Sequence, residues 1–501
     1  MNLAATARRS KSQKIREKLD YPVIDADGHM LEVEPVLLDF LKVVGGPKIV
    51  QRYVDMLSGG SLWGWYKATP EERVAARIKR APFWFFPAAN TLDRATSMFP
   101  GLMRARLDEF GIDFSFIYPT LAILFAGMDD EEMRKAVTRA INTMNAELYA
   151  PHKDRLTPAA VIPMHTPQEA LDELNFAVGT LGMKAAMVEG VVRRPITGKA
   201  GARDLASAAA SYWIDPLALD SPYDYDPVWQ RFTELGVAPT MHTSTMGWVD
   251  RTSISNVTYN HIGHFAAGAH AFCKALVLGG VTHRFPTLKF GFLECGVGWA
   301  ASLYNDLIEH WEKRNVPALK RHLDPALIDR TLLVEMAKQH GGPHMQKHLA
   351  AIAKDDGYFY EWPAETDEAA MDDFAAAGIQ NEHDLYDRFV KNFYFGCESD
   401  DRILAWAFNE KLNQFGAQFK VLLGSDIGHM DVTDARKVIK TAWSLVDEGS
   451  LTNANFRDLV FTNPVEMHGG MNPNLFKGTA VEDAAGKLLK DIKARDKAAA
   501  K

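Results

Sequence analysis

Val421-Leu422-Leu423-Gly424-Ser425-Asp426-Ile427-Gly428-His429 carries an apolar strand straight into a small turn that ends in a carboxylate and an imidazole. A second strand of this kind lies near the N-terminus, Tyr21-Pro22-Val23-Ile24-Asp25-Ala26-Asp27-Gly28-His29. Asp27 and His29 alternate there, so in an extended chain they point to the same side. A third, Val237-Ala238-Pro239-Thr240-Met241-His242, ends in a lone His. A closed set of parallel strands is the simplest way to bring Asp27, His29, His242 and Asp426 together.

The rest of the pattern supports that closure. Strands are expected at 112–119, 158–163, 183–189, 237–242, 288–294, 393–398 and 419–424, with helices at 131–150, 167–181 (capped by Thr166), 227–235 and about 270–278. Gly111 is the expected stop of the helix before the second strand. Near-continuous apolar strands alternating with helices predict a parallel sheet covered on both faces. About eight of them predict an α/β fold, a (β/α)8 TIM barrel with large, mainly helical insertions. A doubly wound open sheet is the alternative, but no glycine-rich phosphate loop follows a strand, which argues against a nucleotide cofactor.

The expected organisation is a polar N-terminal arm (1–20), one barrel (21–480) and a charged C-terminal tail (481–501). Insertions are expected at about 34–102 and 311–390. The first reads as a long, irregular, aromatic-rich stretch, and the second as helical and charged. In the first, Trp63, Trp65, Trp84 and Phe86 would line an apolar substrate pocket, or else serve an oligomer interface or plain packing.

A net charge of −8 gives no electrostatic case for nucleic acid. The N-terminus lacks the apolar core of a secretory signal, and no run approaches the roughly 20 apolar residues of a membrane span. Three cysteines without CxxC spacing suggest neither a disulfide framework nor a thiolate zinc site. A cytoplasmic protein is expected, acting on a small molecule and assembling as a homo-oligomer, with a dimer first in order.

Reactive groups of a (β/α)8 barrel sit at the carboxyl ends of the strands, which selects Asp27, His29, Glu189, His242, Glu294, Glu398 and Asp426. Imidazole with carboxylate suits a divalent metal that keeps an open coordination position. Any one of these alone reads equally as a hydrogen-bonded strand end. His429 would orient Asp426 or bind substrate, or else cap a helix. Glu398 would face the same cavity, or belong to an N-cap cluster with Ser399 and Asp400.

Four motifs together resemble the amidohydrolase superfamily, in the branch that holds metal-dependent hydrolases and the aminocarboxymuconate-semialdehyde and resorcylate decarboxylases. They are Ile24-Asp25-Ala26-Asp27-Gly28-His29 with Glu32, the strand-end His242, Gly280-Val281-Thr282-His283-Arg284-Phe285-Pro286-Thr287-Leu288-Lys289 running to Glu294, and Gly424-Ser425-Asp426-Ile427-Gly428-His429 followed by Asn463-Pro464. The resemblance implies one divalent ion, zinc first and manganese, iron or cobalt compatible, on Asp27, His29, His242 and Asp426. Asp27 departs from the His or Glu often found there, so Glu32 could reach in instead. The resemblance places a His after the sixth strand where this chain has Glu294, and an acid/base His about where His270 stands. It implies a hydrolase with metal-activated water and Asp426 as proton shuttle. The alternative is non-oxidative decarboxylation of an aromatic or unsaturated acid at the same site. A third reading, a barrel that has lost its chemistry and only binds, rests on Asp27 alone.

Overall fold

The computed structural model describes residues 9–58, 64–83, 89–196, 212–242, 252–354 and 371–499. Eight parallel strands form a single sheet: β1 (Ile24–Met30), β2 (Phe114–Pro119), β3 (Leu156–Val161), β4 (Ala185–Val188), β7 (Pro239–Met241), β8 (Phe290–Phe292), β9 (Phe393–Glu398) and β10 (Lys420–Gly424). Between β4 and β7 a small antiparallel pair, β5 (Val192–Pro195) and β6 (Tyr212–Asp215), stands apart from that sheet. The polar and cationic side chains of Val192-Arg193-Arg194-Pro195 hide this pair from a reading that looks for apolar strands.

Closure occurs where β10 meets β1. The Asp426 N–H donates to the Asp27 carbonyl (2.9 Å), and the His29 N–H donates to the Ile427 carbonyl (2.8 Å). Two glycines permit this seam. A Cβ on Gly28 would lie 2.6 Å from Asp25 Oδ2, and one on Gly428, whose φ is +125°, would lie 2.6 Å from the His29 carbonyl oxygen. The predicted (β/α)8 barrel and all eight of its strands are therefore present, with ends shifted by at most three residues.

The helices follow their sequence signals. Gly111 ends helix Pro100–Phe110 in the left-handed region (φ 76°), and Thr166 accepts from the Glu169 N–H to open helix Pro167–Leu174. Helices and strands meet through buried and partly buried aromatic rings. Phe292 and Phe395 stack at 5.7 Å, with Trp299, Phe389 and Phe419 around them. Each such ring contributes roughly 1.5–3 kcal/mol by burial.

The first insertion differs from its expected irregular form. It holds helix Glu34–Ser58, bent at Gly46 (φ 74°) before Pro47, and helices Pro70–Ala75 and Thr91–Met98. Val36, Leu37, Leu41, Ile49 and Tyr53 recur at helical spacing, but Gly45-Gly46-Pro47 interrupts the run and disguises it. Trp63, Trp84 and Phe86 lie outside the described residues. Residues 9–20 pack onto the barrel instead of trailing from it: Ser12 Oγ donates to the Arg436 carbonyl (2.7 Å), and Arg16 pairs with Asp113. The charged tail is a mostly solvated helix, Glu482–Ala499. All three cysteines are free and buried. Among the described residues no helix is long and apolar enough to cross a membrane.

Candidate metal centre

Side chains from four strand ends converge at the carboxyl face of the barrel. β1 supplies Asp27 and His29, the end of β7 supplies His242, the end of β8 supplies Glu294, and the turn after β10 supplies Asp426 and His429. His29 Nε2 lies 3.4 Å from Asp27 Oδ1, 3.6 Å from Asp426 Oδ1 and 3.2 Å from His242 Nε2. His242 Nε2 lies 3.1 Å from Glu294 Oε2 and 4.0 Å from Asp27 Oδ2. The expected quartet is thus assembled, and Glu294 stands inside it instead of behind it.

These atoms are short of hydrogen bonds. Asp27 Oδ1, Glu294 Oε2 and Asp426 Oδ1 are buried and accept no aligned hydrogen bond, although imidazole nitrogens stand close to each. Buried carboxylate oxygens are ordinarily satisfied, so a cluster of bare ones around two facing imidazole nitrogens has the chemistry of a cation site. Electrostatics says the same. Burial, with repulsion from Glu294, Asp426 and Asp25, holds the Asp27 carboxyl well above its ordinary range. Burial, with the Glu294 and Asp431 charges, does likewise for Asp426. His29 is held well below its usual value by burial and by His429 and His242, and so presents neutral imidazole. Glu294 moves the other way: burial would raise it, but contact with His242 together with the His429 and His264 imidazoles lowers it. A dication would relieve the carboxylate repulsion.

The backbone is strained where it presents these groups. Glu294 (φ 55°) and Asp426 (φ 50°) both occupy the left-handed region without being glycine. His429 supports Asp426 directly, with Nδ1 2.6 Å from Asp426 Oδ1 and its ring stacked on His29 at 3.8 Å. Thr120 gives its single hydroxyl hydrogen to the Met30 carbonyl (2.7 Å), so it accepts from His429 Nε2–H at 3.1 Å. In the neutral ring His429 Nδ1 is thereby the nitrogen without a hydrogen, turned toward Asp426.

Glu398, at the end of β9, feels the charges of Asp426 and Glu294. Burial first, then those charges, push its carboxyl up to about 9, so it stands as the neutral acid at neutral pH. Glu189 is also buried, with a carboxyl raised to about 8 by burial, but it packs against Gly127 and its charged neighbours are Arg134 and Asp129. It lies outside the cluster.

Two further expected residues stand elsewhere. Glu32 does not reach in: its carboxylate accepts the backbone N–H groups of Thr120 and Leu121, each at 3.0 Å, at the start of helix Leu121–Ala126. Those free amides attract an anion more directly than a distant cation would. His270 rests its ring near Trp299, and its charged neighbours are Lys274 and Asp306, not the site carboxylates. The imidazole that does approach is His264, six residues earlier on helix His264–Leu278 and therefore on a different face. Its Nδ1–H donates to the His261 carbonyl (2.8 Å), its Nε2 is buried without a partner, and Glu294 is among the charges it feels. Its helix opens on Gly263 (φ 76°), which has no capping side chain, so the sequence carries no sharp start signal there.

Residues 64–83 cover this side of the mouth. The Trp65 indole N–H donates to the Ile254 carbonyl (2.6 Å), Asn260 Nδ2 donates to the Arg80 carbonyl (2.7 Å), and His261 Nδ1–H donates to the Pro82 carbonyl (2.9 Å). Arg73 and Arg80 both lie over the Trp65 ring. Phe83 packs on His264 and Phe265, and Phe265 meets His242 edge-on at 5.6 Å. Trp65 thus holds the cover by packing and hydrogen bonding.

The family model described as amidohydrolase matches residues 24–381. Asp426 lies beyond that match, and its place in the site rests on the geometry above. No curated protein matches the chain by sequence. Among solved structures, an amidohydrolase of Mycobacterium avium subsp. paratuberculosis K-10 aligns with a TM-score of 0.52 at 16% identity, over 90% of this chain and 98% of that one. A dihydroxybenzoic acid decarboxylase of Polaromonas sp. JS666, solved with manganese and 2-nitroresorcinol, aligns at 0.46 and 14% identity, over 89% and 97% of the two chains. A 5-carboxyvanillate decarboxylase of Novosphingobium aromaticivorans DSM 12444, also with manganese, aligns at 0.46 and 13% identity, over 90% and 97%. The first of these likenesses is one of fold.

Proposed function

The chain belongs to the amidohydrolase family, and from that premise we propose that it is a metal-dependent hydrolase of a small, uncharged organic substrate such as an amide, ester or lactone. Asp27, His29, His242 and Asp426 would hold one divalent ion, with Glu294 as a fifth donor. The observation that carries this reading is the set of bare, buried carboxylate oxygens around two facing imidazole nitrogens at the strand ends. Zinc is the first ion to test, and manganese, iron(II) or cobalt suits the same donors. Such an ion lowers the pKa of bound water and polarises a carbonyl.

The chain's own groups would do the rest. Asp426 would take a proton from the attacking water, with His429 Nδ1 beside it able to receive that proton, and Thr120 keeps the ring of His429 aimed. Glu398, held as the neutral acid, is placed to give a proton to the leaving group. Hydrolysis is favoured over decarboxylation by charge. With Asp27, Glu294 and Asp426 ionised around one dication the site would keep a net negative charge, and a substrate carboxylate entering that field would be repelled where a neutral carbonyl would not.

One observation favours the second reading, loss of carbon dioxide from an aromatic or unsaturated acid. Carbon protonation needs a neutral acid beside the metal, and Glu398 is one. Two measurements separate these. Metal analysis of the purified chain should give about one divalent ion per protomer, lost in His242→Ala; wild-type protein that stays empty after incubation with zinc or manganese overturns the metalloenzyme reading. With any turned-over substrate, heavy oxygen from labelled water in the product supports hydrolysis, whereas released carbon dioxide without label supports decarboxylation.

A further inference from the structure

The amino end of the barrel, opposite the metal centre, holds a cavity of about 460 Å3. Its walls come from the first residues of three strands and the turns that lead into them. Phe114 opens β2, Leu156, Thr157 and Pro158 lie in β3, and Met183 and Lys184 run into β4. Tyr149, at the end of helix Glu131–Tyr149, and Leu475, in the segment before the C-terminal helix, complete it. Two contacts hold that last segment in place: Lys184 Nζ donates to the Leu475 carbonyl (2.9 Å), and the Ala480 N–H donates to the Asp154 carbonyl (2.9 Å). At Gly182 (φ 73°) and Gly478 (φ 78°) an added Cβ would meet nothing within 4 Å, so the rim is open there. The volume is that of a small-molecule pocket.

The lining has two chemistries. Phe114, Leu156, Met183 and Leu475 give it a buried apolar wall. Lys153, Lys184 and Lys477 are its charged groups, and among the described residues no Asp or Glu lines it. None of the three amines has an ion pair; the side-chain contact of Lys184 is the Leu475 carbonyl. Of the acids close by in sequence, Asp154 pairs with Arg104, and Glu482 accepts from the Gly478 N–H (2.7 Å). Burial and the charge of Lys153 hold the Lys184 amine below its usual value, so the cations crowd one another. In a chain of net charge −8, this cavity carries the opposite sign. An anion would relieve the crowding, but a bare inorganic anion would leave the apolar wall uncovered.

We propose that this cavity is a second ligand site, which takes a small organic acid with its apolar chain or ring against Phe114, Leu156, Met183 and Leu475 and its carboxylate among Lys153, Lys184 and Lys477. Ammonium-to-carboxylate hydrogen bonds are charge-assisted, and the wall removes the body of the acid from water. The six residues of β3 span roughly 20 Å from this end to the other, so a molecule bound here does not reach the metal centre. The catalytic groups of such barrels gather at the carboxyl ends, which makes this ligand an accessory molecule and not the substrate. The proposal is independent of the chemistry at those ends.

The test is calorimetric titration of the full chain with octanoate and with naphthoate, beside octanol and inorganic phosphate, at constant ionic strength and again in His242→Ala. The expected result is one molecule of acid per chain, retained in His242→Ala, with a dissociation constant raised about ten-fold or more in Lys153→Gln/Lys477→Gln and in Lys184→Gln. Ala146→Leu, which narrows the cavity, should weaken both acids as well, and the tighter of the two tells whether a chain or a ring fits. Lys153 and Lys477 are exposed, so their replacement leaves the core intact, and circular dichroism and melting temperature confirm that each variant folds. Octanol binding as tightly as octanoate, phosphate displacing the acid, or affinity unchanged in the lysine variants overturns the proposal. So does the lack of saturable binding of either acid below about 5 mM. An acid site that disappears in His242→Ala overturns it too, by assigning the acid to the opposite end of the barrel.

Discussion

Strand β1 carries two buried carboxylates two positions apart, and their surroundings are opposite. Asp25 accepts from Ser115 Oγ (2.6 Å), Ser425 Oγ (2.8 Å), the Ser425 N–H (2.9 Å) and the Asp27 N–H (3.2 Å). Asp27, one layer nearer the mouth, leaves Oδ1 bare and faces Asp426, Glu294 and two imidazoles. Both carboxyls are raised by burial, but only Asp25 has hydrogen bonds that offset it. The lesson is that a carboxylate supplied with donors belongs to the architecture, here the seam between β1 and β10. One denied them is kept for something that arrives later, and among the described residues the buried carboxylate oxygens in that state are those of Asp27, Glu294 and Asp426.

The sharpest way to break this contrast is to alter the bare layer. Asp426→Asn and His242→Ala should each lose the bound metal, as read by metal analysis, and reduce activity by about three orders of magnitude or more. The urea midpoint of Asp426→Asn should hold or rise, because that substitution relieves charge crowding, whereas His242→Ala strips Glu294 of its imidazole partner and should lower it. Retained metal in both variants would erase the distinction between the two layers.

The next largest effect lies in the satisfied layer. Asp25→Ala leaves Ser115 Oγ, Ser425 Oγ and the Ser425 N–H without their acceptor inside the seam, and should cost roughly 3 kcal/mol in denaturant unfolding. If the variant folds, metal binding should weaken far less than in His242→Ala. An unfolding cost near zero would show that the seam holds through its backbone bonds alone.

How much of this arrangement was legible follows the same physical line. Strand ends could be read because apolar runs stop at a polar residue, and the barrel then brings Asp27, His29, His242 and Asp426 together whatever their spacing in the chain. Hydrogen bonding across the fold could not be read. Glu32, three residues beyond His29, looks like a ligand until the amides of Thr120 and Leu121 are placed beside it. His270 and His264 lie on one helix, and which faces the site depends on a rotational phase set by Gly263, a start without a side-chain cap. The inward position of Glu294 depends on a positive φ that no residue other than glycine advertises. The kinked helix at 34–58 was obscured by its own Gly-Gly-Pro.

Glu189 tests a third case, a buried carboxyl away from both layers. Its pKa rises from 4.5 to about 8 through burial. The folded protein therefore holds a proton there that the unfolded chain releases between those values. Stability from this group is fully present below pH 4.5 and is lost as pH rises through about 8. Glu189→Gln should flatten the decline of melting temperature across that window, leaving metal content unchanged. An unaltered slope would place the charge burden on other groups.

The smallest expected effect decides whether Glu32 belongs to either carboxylate layer. Its oxygens accept the first free amides of helix Leu121–Ala126, and Thr120 in turn accepts from His429, so the cap stands one residue from the group that braces Asp426. A capping acceptor removed from a helix start costs about 1 kcal/mol, and Glu32→Ala should lose that much in urea unfolding. Glu32→Gln, which keeps an acceptor but drops the charge that favours the helix start, should lose less. Metal content should remain at wild-type level in both. A variant that unfolds normally but no longer holds metal would instead make Glu32 a ligand and move it into the bare layer, whereas a modest loss of stability with full metal content keeps it with Asp25, as a carboxylate whose oxygens are already taken.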